Sequence, residues 1–151
     1  MDTSSAESLI QVLLEEADVI DELVDAVVEQ RESIGTEGHV ALQDRMKYIQ
    51  EIFFDVQAQE LRRDRLAKAL AEELECEPRL SSLAAVLPET ERALFRGAGD
   101  RLGHSVFALK SEMTILSGLI AHNERFSAML LSEWRRLEGG FSSSGGLDFR
   151  G

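Results

Sequence analysis

The chain has 151 residues, 44% apolar and 29% charged, with a formal net charge of −12. That is one domain's worth of foldable sequence, and its acidity argues against nucleic acid or anionic lipid as partners. The charge is uneven: nine acids and no Lys or Arg in residues 1–30, eleven acids against eight bases in 31–80, and eight of each from 81 onward.

The start, Met1 to Glu7, is acidic where a secretory signal would be basic. No apolar run approaches the ~18 residues that would span a bilayer, and the lone Cys76 has no partner for an internal disulfide. These features point to a cytoplasmic protein without membrane insertion.

Ile10, Leu13, Ala17, Ile20, Val24, Val27 and Ile34 recur at three-four spacing, broken only at Arg31, and predict a first helix over 6–34 with acids outward. Gly35 suits its C-terminus and Thr36 the N-cap of the next helix. A second helix is expected over 37–75 on the seam Leu42, Met46, Ile49, Phe53, Val56, Ala67, Leu70 and Leu74. The same register sets Glu60 and Arg63 within that seam, so they either pair across helices or lie where the bundle has opened.

Cys76-Glu77-Pro78 ends the second helix. Ser81 or Ser82 caps a short connector through Leu87, and Pro88 then opens a last helix whose first turn holds Glu89 and Glu91. Gly97, Gly99 and Gly103 predict a kink or break before Val106.

Beyond it, Val106, Leu109, Met113, Leu116, Ile120, Asn123, Ser127, Leu130, Trp134 and Leu137 alternate steps of three and four. They predict one long helix on a heptad seam. Leu119, Phe126, Met129 and Leu131 lie off that seam and give the helix a second apolar face. From Gly139 the composition turns to Gly and Ser. The expected architecture is all-α: an elongated antiparallel bundle of three long helices with a short connector helix over 1–138, and a flexible tail over 139–151.

No arrangement in the sequence supports catalysis or calls for a cofactor or metal. None of His39, His104 and His122 follows a Glu by three residues, as a di-iron bundle requires. No phosphate loop or zinc-spaced cysteine pair occurs. A phosphotransfer role for His104 would need a Leu-Lys-Gly-like element close behind it, but Lys110 is too distant.

Four segments carry a resemblance to a known family. Leu9-Ile10-Gln11-Val12-Leu13-Leu14-Glu15-Glu16 resembles the first helix of flagellar type III export chaperones of the FlgN type. The restart from Gly35 to Leu42 resembles that family's break before its second helix, and Leu80 to Pro88 resembles its Leu-Ser-x-Leu-Ala connector. His122-Asn123-Glu124-Arg125-Phe126 in a Leu-rich last helix, with the ending Leu147-Asp148-Phe149-Arg150-Gly151, resembles its carboxy-terminal portion. Phe149 stands where the family pattern has Tyr.

The resemblance implies a cytoplasmic chaperone that binds helical terminal segments of the hook–filament junction proteins FlgK and FlgL. It also implies delivery of that cargo to the export gate, including its membrane protein FlhA. Joined to the apolar excess of the last helix, it predicts helix-in-groove binding of cargo at Leu116, Leu119, Asn123, Phe126, Met129, Leu130, Trp134 and Leu137, with Phe149 in a tail contact. A homo-oligomeric coiled-coil adaptor without client chaperoning is the alternative that the seam alone would satisfy.

Overall fold

The computed structural model describes residues 4–121 and 128–142. Its elements are α1 (Ser5–Ser33), α2 (His39–Leu74), α3 (Leu80–Val86), α4 (Glu89–Ala121) and α5 (Ala128–Ser142). The all-helical class is as expected. The count and course of the helices are not, because the long last helix is divided between α4 and α5.

Local chemistry sets most boundaries. Ser4 caps α1 by accepting the Glu7 N–H on its Oγ at 3.1 Å. Beyond Ser33, Gly35 takes a φ of +92°, a turn that L side chains resist. Thr36 does not cap the next helix. Its hydroxyl donates to the Ser33 carbonyl at 3.1 Å, and α2 starts behind Gly38. Glu37 is instead held by a bidentate bond from Arg45, 2.8 Å at each oxygen.

At its far end α2 stops on Glu75, whose φ of 54° is left-handed, with the Cys76 N–H returning to the Ala71 carbonyl at 3.0 Å. Pro88 precedes α4 as expected, and its carbonyl accepts the Arg92 N–H at 2.8 Å. Of the kink or break expected at the glycines, no break occurs. α4 runs unbroken through Gly97, Gly99 and Gly103, because Ala98, Leu102, Ser105 and Val106 are buried and packing overrides weak propensity.

Cross-helix bonds give the directions. Ser5–Glu73, Glu16–Arg63 and Gln30–Leu42 are separated by 68, 47 and 12 residues, a shrinking interval that makes α1 and α2 antiparallel. Arg31–Glu112 and Arg101–Asp21 keep nearly constant separations of 81 and 80, so α4 runs parallel to α1. α1 thus packs on both of the other long helices, while α3 bridges α2 and α4.

That position explains α1's burial. Leu9, Leu13, Ile20, Leu23 and Val27 are internal, and so are Val12, Ala26 and Gln30 on a second arc. Ile10 and Val24, expected in the seam, are only half-buried. α2 follows its predicted seam closely, from Leu42 to Leu70.

The polar members of that seam pair across helices. The Arg63 guanidinium donates to both Glu16 oxygens at 2.8 and 2.9 Å, and Glu60 is buried beside them. Burial pushes the Glu16 carboxyl up to about 7 against the attraction of Arg63, and the neighbouring Glu60 charge adds to the rise.

Two outcomes are expected. Arg63→Leu strands buried carboxylates and should cost about 3–5 kcal/mol in urea unfolding at pH 7. Because the folded state holds the Glu16 proton more tightly than the unfolded chain, its contribution is full below pH 4.5 and is lost as pH rises toward 7. Unfolding free energies of the parent should therefore fall relative to Glu16→Gln across that window, by on the order of 3 kcal/mol. Parallel pH profiles for the two proteins would refute this.

Candidate partner-binding site

Of the residues expected to hold a partner, Leu116, Leu119, Trp134 and Leu137 are described, near the end of the bundle where α4 finishes. Val106, Leu109, Met113, Leu116 and Ile120 form one buried face of α4, as the heptad pattern predicts. The pattern then misleads. The Trp134 indole N–H donates to the Ser117 hydroxyl at 2.8 Å, and that same hydroxyl contacts the Glu138 carboxylate. In a single helix, residues 17 apart in sequence would be separated by about 25 Å. α5 therefore doubles back along α4, with contacts on both α4 and α2.

The physical reason lies in bundle length. The constant α1–α4 offset brings Ala121 level with the α1–α2 turn, just past the end of α1. A helix continued from there would carry its apolar residues into water. Folding back instead buries Trp134 to 1% exposure and packs Leu137 against the core. The boundary expected at 139 falls inside α5, which runs to Ser142.

The expected contact residues are thus sorted by the fold. Leu116 is fully internal at 0% exposure, Trp134 is internal and Leu137 is half-buried. Leu119 is the member on the surface, 40% exposed. Met129 and Leu130 fall in the first turn of α5, where the backbone alone is described. Asn123, Phe126 and Phe149 lie outside the described residues.

Sequence reasoning missed three participants. Ile115, 45% exposed, lies one turn before Leu119 and extends its apolar surface; the i, i+4 spacing outside the seam was the available signal. Ser117 and Glu138 carry no such signal, since their pairing exists only once α5 has folded back. Ser117 and Leu119 are two positions apart on a helix, about 200° around its axis. The exposed pair and the α5 seat therefore occupy opposite flanks of α4.

Elsewhere, Phe107 is the most exposed large apolar side chain of α4 at 74%, and His104 is also exposed beside it. The acids of α1 are partly engaged: Arg101 pairs with Asp21 at 3.0 Å and also contacts Asp18. Among the described residues no cluster of three or more His, Cys, Asp or Glu is placed to hold a metal, and no helix is long and apolar enough to cross a membrane.

The family model described as FlgN protein matches residues 1–144. No curated protein and no solved structure matches the chain.

The Trp134–Ser117 bond is measurable by a double-mutant cycle. Trp134→Phe keeps a ring and removes the donor, so its expected cost is about 1 kcal/mol. Ser117→Ala leaves the indole N–H without its acceptor and should cost about 1–3 kcal/mol in urea unfolding. In the double variant the losses should fall short of additive; strictly additive values would mean the bond contributes nothing.

Proposed function

The chain belongs to the FlgN family of flagellar export chaperones, and we propose that its clients are the hook–filament junction proteins FlgK and FlgL, bound through their helical terminal segments. Binding keeps those segments from assembling early and brings them to the export gate, FlhA included. The chaperone acts in the cytoplasm. It does so by contact and carries out no reaction.

The family match across residues 1–144 is the observation that carries this reading. The physical support is the end of the bundle at which α4 finishes and α5 turns back. There an apolar surface at Ile115 and Leu119 lies beside the buried Leu116, on the flank of α4 opposite the seat of Trp134 and Leu137. Asn123 and Phe126, between those helices in the sequence, and Met129 and Leu130 in the first turn of α5 complete the proposed contact, and Phe149 adds a tail contact.

The acidic outer face of α1 suits this role. It keeps a protein with exposed apolar side chains soluble and repels other copies of itself. The return of α5 onto α4, seen in the Trp134–Ser117 bond, favours the client-binding reading over the coiled-coil adaptor.

Exposed apolar side chains that bind a partner contribute to binding and little to folding. The double change Ile115→Glu and Leu119→Glu should weaken binding of FlgK and FlgL terminal segments by at least about 100-fold, from the ~1.5–3 kcal/mol that each buried side chain contributes. Stability should move by about 1 kcal/mol or less. Calorimetric titration and thermal melting check both parts; unchanged affinity for both cargoes would refute the reading.

A further inference from the structure

Opposite the exposed pair Ile115 and Leu119, the other flank of α4 at this end of the bundle is covered by the chain's own α5. We propose that α5 is a displaceable placeholder: it occupies a seat between α2 and α4 that an amphipathic helix of the cargo takes over when it binds. This rests on the chaperone reading above and assigns a regulatory step to it.

Three observations converge. First, α5 is a short helix that follows α4 in the chain after residues 122–127, and its main contacts fall on α2 and α4, whereas α1 carries the most extensive packing of the bundle. Second, among its described side chains it is seated by a large anchor, Trp134, and a half-buried Leu137, the pattern by which an amphipathic helix fills a groove on another protein. Third, the seat carries its own polar selector. Ser117 accepts the indole N–H at 2.8 Å and meets the Glu138 carboxylate, so an incoming helix must satisfy this hydroxyl or leave it buried without a partner.

The seat's occupant therefore describes its replacement: a helix with a large apolar anchor and a polar group one turn away. α1, α2 and α4 keep their mutual packing and the Glu16–Arg63 pair when α5 leaves, because none of those contacts involves α5. Release uncovers the flank of α4 around Ser117 and sets Trp134 free. Without cargo, the same surface stays covered, which limits self-association of a chaperone awaiting its client.

A reversible clamp tests this in the full chain. In a variant carrying Cys76→Ala, Thr114→Cys and Glu138→Cys, which keeps the Ser117 hydroxyl, a reductant-cleavable bismaleimide joins α4 to α5. The same molecules are assayed before and after cleavage, with helicity checked by circular dichroism in both states. The probe is a fluorescent terminal helical segment of FlgK from the same genome. The clamped form should bind at least tenfold more weakly than the cleaved form. Equal or tighter binding when clamped overturns the placeholder and leaves the chaperone standing. Absence of binding in both forms, with the parent chain equally inactive, overturns the chaperone reading as well.

Discussion

The organisation of this protein follows from one constraint: α1 must bury two arcs of its surface at once. α2 lies antiparallel on one side and α4 parallel on the other, and the two long helices meet chiefly through it. A helix in that position has only a narrow strip left for solvent. Its acids gather on that strip, or turn inward where a cation waits, as Glu16 does opposite Arg63. Leu9 and Val12, three positions apart and both internal, mark the two arcs.

Register is then fixed by polar bonds rather than by apolar area, which tolerates sliding. The Glu16–Arg63 pair sets α2 against α1, helped by Gln30, which donates to the Leu42 carbonyl at 3.0 Å. On the other side Arg101 and Ser105 both reach Asp21, the serine at 2.6 Å, and Arg31 reaches Glu112 at 3.0 Å. A slip of one helical turn along either interface would break every bond in its set. Burying the Glu16–Arg63 pair costs desolvation, visible in the raised Glu16 pKa, and the gain is a unique alignment.

Much of this was legible in the residues. The α2 seam from Leu42 to Leu70, the buried face of α4 from Val106 to Ile120, and the connector before Pro88 all follow from spacing and capping. α1 was read with a single seam, and the choice of Ile10 over Leu9 failed because one stripe cannot describe a helix buried on two sides. The reversal between α4 and α5 was illegible for a different reason. The heptad pattern persists from Ile120 to Leu137, and period alone does not record whether the partner is another helix or the same one folded back. What decides it is a length comparison, α4 against α1, that becomes available only once their offset is known. The candidate site shares this fate: Leu119 was identified as an off-seam surface residue, whereas the covering of Leu116 by the fold depends on tertiary pairing.

The unequal attachment of the helices also has an energetic consequence. α1, α2 and α4 share a continuous core, so none can leave without exposing the others. Among the described side chains α5 adds only Trp134 and Leu137 to that core, fewer than any of the three long helices. Elements held this loosely sit at the low end of the local stability range, which is where segments that exchange with ligands are found. A helix bound this way stays seated in the absence of a competitor and yields to one of similar shape. The rigid frame and the loosely held cover are thus products of the same geometry: α1 commits two helices to itself, and the part of the chain that extends past its end is left to find the remaining groove.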